Sequence, residues 1–381
     1  MSTPAVSKRI PSLDLMRGVV MVLMAIDHVR VYSGLPAGGP APGIFFTRWV
    51  THFCAPGFAF LAGTAAYLHG TRLSDRGALA RFLVRRGAVL VLLELTVIRV
   101  FWTFNFDFAH YLLAGVIWML GFCMILLAAL IWLPLPVIAA FGVAVIALHD
   151  LLDHVKPVEG WLRQILYFGG PVHLGANGPP LMVLYSLVPW IGVMAAGYAF
   201  GRVMQFEPQR RDRICTAVGA SAIALFVLLR GLDVYGDPRS WHRPMPPSAL
   251  LRFLGTSKYP ASLLFLLMTL GPLLLLLPAA ARARGRLAEG LITFGRVPLF
   301  FYLLHIPLIH VAAMVVSLAR EGRIDPWLFT NHPMMNPPPP EGYTWSLALL
   351  YGVFAIVVAL LYVACRWYAA GKARGQFIRR S

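Results

Sequence analysis

The chain has 381 residues, of which 59% are hydrophobic and only 13% charged, with a net charge of +17. A soluble domain carries about 25% charged residues, so the composition excludes an ordinary water-soluble domain and points to a membrane. The cationic excess opens a nucleic-acid reading, which the placement of the charges decides against.

Apolar runs near the ~20 residues that a helix needs to cross a bilayer recur along the whole length. They predict spans at roughly 13–33, 53–70, 84–104, 110–132, 135–152, 180–203, 214–232, 259–281, 288–318 and 344–368. The expected fold is therefore an all-α polytopic bundle of about ten transmembrane helices with both termini cytoplasmic. It fills 1–381 as a single transmembrane domain, with a basic cytoplasmic tail over 369–381. Lys8 and Arg9 precede the first run, but Asp14, Arg17, Asp27 and His28 interrupt it. The sequence thus predicts a retained first helix rather than a cleaved signal. Cys54, Cys123, Cys215 and Cys365 fall inside apolar segments without metal-ligand spacing, so no disulfide framework is expected.

With the N-terminus inside, the basic clusters all fall on one side. The loop between the second and third spans carries Arg72, Arg76, Arg81, Arg85 and Arg86. The sixth–seventh loop carries Arg202, Arg210, Arg211 and Arg213, the eighth–ninth loop Arg282, Arg284 and Arg286, and the tail Lys372, Arg374, Arg379 and Arg380. That is the cytoplasmic excess of Lys and Arg, and it removes the need for nucleic acid. The opposite side has longer loops, about 34–51, 153–179, 233–258 and 319–343. These hold His154, Lys156, Arg163, His173, Trp241, His242, Arg243, Arg323 and His332, and a Pro337–Pro340 run expected to be extended.

The first span opens on Ser12-Leu13-Asp14-Leu15-Met16-Arg17-Gly18, with Ser12 the expected N-cap. Arg17 and His28 lie eleven residues apart, which sets them about 20° apart on one helical face and roughly 16 Å apart along the axis. Ionisable groups at that depth face a cavity or a partner. A cation at one end and an imidazole at the other suit a long, phosphate-headed ligand such as the pantetheine arm of coenzyme A. Arg17 alone reads equally well as an interface anchor.

Arg17, ten residues and His28 resemble the signature of membrane acyltransferases of the acyltransferase-three type. The string Ser12 to Gly18 resembles the start of the heparan-α-glucosaminide N-acetyltransferase-like catalytic domain. Two further blocks are similar to its bacterial members, Arg48-Trp49-Val50-Thr51-His52-Phe53-Cys54-Ala55-Pro56 running to Thr64, and Phe294-Gly295-Arg296-Val297-Pro298 running to His305. The resemblance implies transfer of an acetyl group from cytoplasmic acetyl-CoA to a sugar across a bacterial inner membrane. The partners it implies are an acyl-CoA donor, an extracytoplasmic carbohydrate acceptor and the lipid bilayer; a second copy of the chain is left open. The family's animal enzyme draws its histidine from the following loop, but Gly34 to Gly43 holds none here. The role passes to His28 or His52.

The first and ninth spans run outward and the second inward, so His28, His52, Tyr302 and His305 share the outer half. A nitrogen or hydroxyl acceptor needs a base as it attacks a thioester, and imidazole has a suitable pKa. The expected roles are His28 as general base, Asp27 or His52 tuning it, and His305 or Tyr302 stabilising the oxyanion. His310 reads as a boundary residue. Arg17, Asp14, Arg72, Arg85, Arg86 and Arg296 are the candidates for holding the donor. Glu94 either lines the cofactor tunnel or, the preferred reading, forms a structural ion pair with an arginine such as Arg99 or Arg296. Ala55, Ala59 and Gly63, four apart, predict a close-packing face. His149 and His154 are poorly spaced for one helical face, and no metal is expected. The alternative is a proton-coupled transporter relaying through Asp27, His28, Glu94 and His305.

Overall fold

The structure, a computed structural model, describes residues 10–374 apart from 74, 155–159, 174, 176–177, 243–245 and 336. Lys8, Arg9, Lys156, Arg243, Arg379, Arg380 and the rest of the tail beyond 374 lie outside the described residues. Among those described, eleven helices of ten residues or more carry the fold. In chain order they are α1 (Pro11–Tyr32), α2 (Cys54–Gly70), α3 (Arg76–Leu93), α4 (Val116–Leu130), α5 (Leu135–Leu148), α6 (Leu187–Phe200), α7 (Pro208–Leu232), α8 (Leu263–Arg282), α9 (Arg286–Arg296), α10 (Pro298–Glu321) and α11 (Leu347–Ala373). Helix accounts for 74% of the chain, and six helices are long and apolar enough to cross a membrane. The protein is a helical, multi-pass membrane protein.

The boundaries follow local chemistry. Pro11 takes the first position of α1, whose missing N–H costs nothing there, so Ser12 is inside the helix and makes no cap. Asp75 caps α3, accepting from the Gly77 and Ala78 amides at 2.7 and 2.9 Å, and those two bonds hold its carboxyl below the usual range. Ser262 and Ser346 cap α8 and α11 in the same way. The span expected over 288–318 is two helices, because Pro298 pushes Val297 out of helical geometry and α9 ends there. The third span begins earlier than expected and passes through a π-helical turn, Glu94–Ile98, into a last turn at Arg99–Thr103.

Two expected spans start as strands. Leu112–Ala114 (β1), Gly170–His173 (β2) and Pro180–Val183 (β3) form a small sheet in the order β1-β3-β2. β1 runs parallel and β2 antiparallel to β3. Runs this short and apolar do not declare helix or strand by periodicity.

α1 is the hub, packed against α2, α8, α9, α10 and α11. Its Val20, Ala25 and Val29 are fully buried. Two glycines set the α1–α9 distance. A Cβ on Gly18 would fall 1.9 Å from the Leu291 carbonyl oxygen, and one on Gly295 would fall 1.8 Å from that of Asp14. The close-packing face of α2 meets α6, where a Cβ on Gly63 would sit 2.0 Å from the Met194 carbonyl oxygen and Ala59 is wholly buried.

Candidate active site

α1 and α10 bring His28 and His305 together. His28 Nδ1 lies 2.7 Å from His305 Nε2, with the rings stacked at 4.9 Å between centroids. The far side of His305 decides who donates. Its Nδ1 lies 2.6 Å from the Tyr302 carbonyl oxygen and 3.2 Å from that of Phe301. Carbonyl oxygens only accept, so His305 Nδ1 carries the hydrogen and Nε2 of the neutral ring is an acceptor. His28 must then donate from Nδ1, which leaves the lone pair on its Nε2. Trp102 sets its edge against the His28 ring at 4.7 Å and restricts the ring's rotation.

His28 lines a cavity of about 230 Å³ together with Asp27, Arg48, Glu94, Trp102 and Tyr302. Two larger cavities adjoin it. One, of about 420 Å³, is mostly apolar and has Arg17, His69 and Arg86 in its wall; it shares Tyr302 and Val116 with the histidine cavity. The other, of about 750 Å³, contains His52 and Lys258 and shares Ala37, Arg48 and Tyr259. Three spaces therefore abut in series, with His28 in the middle one.

Other candidates sit differently from expectation. Asp27 does not hydrogen-bond His28; it accepts from Arg30 Nε at 2.7 Å and lies 3.5 Å from Arg48. His52, in the 3-10 turn Val50–Phe53, lines the 750 Å³ cavity beside Phe265 rather than meeting His28. Its Nδ1 is buried with no hydrogen-bond partner among the described residues. Arg17 lines the 420 Å³ cavity while donating to Asp14 Oδ1 at 2.9 Å and to the Gly295 carbonyl at 3.0 Å. Asp14 thus holds Arg17 rather than a ligand. Arg86 lines the same cavity, whereas Arg72, Arg85 and Arg296 are exposed and outside its lining. His310 is buried, stacked on Phe104 at 4.0 Å, and outside all three linings.

Glu94 makes neither expected ion pair. Its Oε2 accepts from the Ile117 and Trp118 amides at 2.8 and 3.1 Å, capping α4 from another helix. Glycine at 115 leaves room for this, since a Cβ there would lie 2.7 Å from the carboxylate and force it to shift. Arg99 instead spends its guanidinium on Thr103, Asp107 and Asn331 at 2.7, 2.7 and 3.1 Å. That ties the loop after Trp102 to the segment before α11. Asp107 accepts from His110 and Asn331 there, which holds its carboxyl below the usual range.

Sequence reasoning missed His69, Trp102 and Lys258. His69 carried the best signal, an imidazole in the last turn of α2 before the basic loop. Among the described residues no group of three or more His, Cys, Asp or Glu is placed to hold a metal; His149, one of the pair weighed for it, lies against Asp150 at 3.0 Å.

The sequence blocks singled out at the start meet in space. Arg17 bonds Gly295, Asp27 faces Arg48, Cys54 donates to the Val20 carbonyl at 3.1 Å, and His28 bonds His305. The model of one protein family, described as "Heparan-alpha-glucosaminide N-acetyltransferase, catalytic", matches residues 9–233, more than half of the chain. No curated protein matches it. The matched stretch contains Arg17, His28, His52, Arg86 and Glu94 and ends before Lys258, Tyr302 and His305.

Proposed function

The chain belongs to the heparan-α-glucosaminide N-acetyltransferase catalytic family, and we propose that it moves an acetyl group from cytoplasmic acetyl-CoA to an extracytoplasmic sugar or glycan. Membership makes it a membrane acetyltransferase; donor, acceptor and residue roles are the proposal. In this reading the chain is one transmembrane domain of ten crossings in a bacterial inner membrane. To the six long apolar helices it adds α1, α2, α3 with its π-helical continuation, and α4. Both termini are cytoplasmic, and the basic loops lie with them.

The 420 Å³ cavity takes the acetylated pantetheine arm, with Arg17, Arg86 and His69 toward the donor's phosphates and apolar walls along the arm. The acceptor enters through the 750 Å³ cavity. They meet beside His28. Its Nε2 takes the proton from the acceptor nitrogen or oxygen as that atom bonds the acetyl carbon. The carbon–sulfur bond breaks, its electron pair leaves on the CoA sulfur, and the proton held on His28 is returned to that thiolate. His305 is a positioning residue, fixing the tautomer through the Tyr302 carbonyl. Tyr302 stands where the donor and histidine cavities adjoin and is the candidate hydroxyl for the carbonyl oxygen. Asp27 braces Arg30 and Arg48 in the wall.

The observation that carries this reading is the tautomer: the His305 bonds leave His28 Nε2 with a lone pair on a ring that lines the central cavity. The test incubates membranes containing the protein with acetyl-labelled CoA and follows label into sugar products. Label transfer that disappears in His28→Ala, with protein level and acetyl-CoA binding kept, supports it. Undiminished transfer in that variant removes His28 as the base.

A further inference from the structure

The acceptor-side cavity has one sign of charge. Arg48, Arg230, Arg239, Arg252 and Lys258 line it, and among the described residues no carboxylate does. Two of these cations are occupied in building the wall. Arg230 donates to the carbonyls of Phe253, Arg239 and Arg252 at 3.0, 2.7 and 2.9 Å, and Arg252 donates to those of Trp241 and Pro247. Arg239 is half-exposed at the rim, 3.9 Å from the buried Asp237 carboxylate, which itself accepts from Ser257 and Ser262.

Lys258 is different. It is 8% exposed, and its ammonium lies over the rings of Tyr259 and Tyr185 at 5.3 and 5.9 Å. Among the described residues no carboxylate is within ion-pair distance of it. Ring faces offset only part of the cost of burying an ammonium. On the proposed outer side, basic residues are also ordinarily scarce. A cluster of cations there, with Arg48 held by Asp27 at 3.5 Å and the buried Lys258 making no ion pair among the described residues, calls for an anion from outside.

We propose that this cavity binds an oxyanion carried by the acceptor, a phosphate or a carboxylate, through Lys258 and Arg48 with Arg239 at the mouth. The proposal rests on the acetyl-transfer reading for the word acceptor. The binding itself does not depend on transfer.

The test uses the purified full chain in detergent and calorimetric titration with glucose 6-phosphate, glucose and inorganic phosphate as probes. The sugar phosphate should bind, and glucose should bind at least about ten-fold more weakly. Lys258→Gln should weaken the sugar phosphate about ten-fold, Lys258→Arg should restore most of it, and acetyl-CoA affinity should be unchanged in both. Should Lys258→Gln fail to fold, Arg239→Gln at the exposed rim should weaken the sugar phosphate about three-fold. Equal binding of glucose and glucose 6-phosphate, or no effect of either substitution, overturns the site. Inorganic phosphate binding as tightly as the sugar phosphate shows a bare anion site and overturns the acceptor assignment. A matching fall in acetyl-CoA affinity gives the cavity to the donor's own phosphates and overturns it as well. Failure of the wild-type chain to bind acetyl-CoA, with sugar phosphate binding intact, overturns the transferase reading alone.

Discussion

Two histidines, His28, half-buried at the central cavity, and His149, fully buried, have opposite surroundings. Around His149 every neighbour is an acceptor: Nδ1 faces the Val145 carbonyl at 2.9 Å, and Nε2 faces the Ala261 carbonyl at 2.7 Å and Asp150 Oδ1 at 3.0 Å. Both nitrogens must carry hydrogen, so the ring is an imidazolium bolted to its aspartate. Asp150 completes the bolt by accepting from the Leu263 amide at the start of α8. Around His28 one nitrogen donates to another histidine and the other keeps its lone pair beside a cavity. What separates a base from a bolt is whether the neighbours use up both ring nitrogens.

The first way to break this contrast is to delete each ring. His28→Ala should lower acetyl transfer about a thousand-fold, the scale of a lost general base. Its thermal unfolding in detergent should stay close to that of the unmodified chain. His149→Ala should do the reverse. It leaves Asp150 buried without its cation, so stability should fall by about 3 kcal/mol, while transfer per folded molecule changes little. A thermal melt and a transfer assay on the same preparations separate the two. If His149→Ala abolished transfer in folded protein, the bolt reading would fail.

His305 sharpens the contrast from the other side, because it acts only through His28. His305→Leu removes the acceptor for His28 Nδ1 and should cost about thirty-fold in transfer. His305→Gln supplies a carbonyl oxygen that can accept the same hydrogen and should recover part of it. The acid limb of the pH–rate profile should move in the leucine variant and return toward its original place in the glutamine one. A purely structural role would lower yield and leave that limb where it was.

How much of this was legible before the structure depends on the range of the interaction. The Arg17–His28 stripe is a property of one helix, and the helical period carries it directly to the cavities at its two levels. The meeting of α1 with α10 also left a trace, as imidazoles expected at a common depth. The donor in the pair was not legible, because it hangs on one backbone carbonyl, that of Tyr302. His52 was misplaced against His28 because it lies in a single 3-10 turn, and turns of that length leave no periodic signal to say which way a side chain faces. The small sheet and the break at Val297 were missed for a related reason. Hydropathy measures the length of an apolar run and does not see where its hydrogen bonding changes. Lys258 sits in a loop, where polar residues are unremarkable until packing shows that this one is 8% exposed.

Glu94 tests which half of the contrast matters, because it has one attribute of each histidine. Like His28 it lines the central cavity; like His149 it is engaged, with Oε2 accepting two amides of α4. If facing the cavity made a residue chemical, Glu94→Gln would cut transfer as deeply as loss of His28. If engagement governs, the amide oxygen of glutamine still accepts from Ile117 and Trp118, and only the charge at the helix N-terminus is lost. That loss should cost about 1 kcal/mol of stability and change transfer by less than about three-fold. Gly115→Ala should hurt more than Glu94→Gln in the same melt, since its methyl group would displace the carboxylate from both amides. Collapse of transfer in a stably folded Glu94→Gln variant would move the proton chemistry to this carboxylate and undo the contrast drawn from His149.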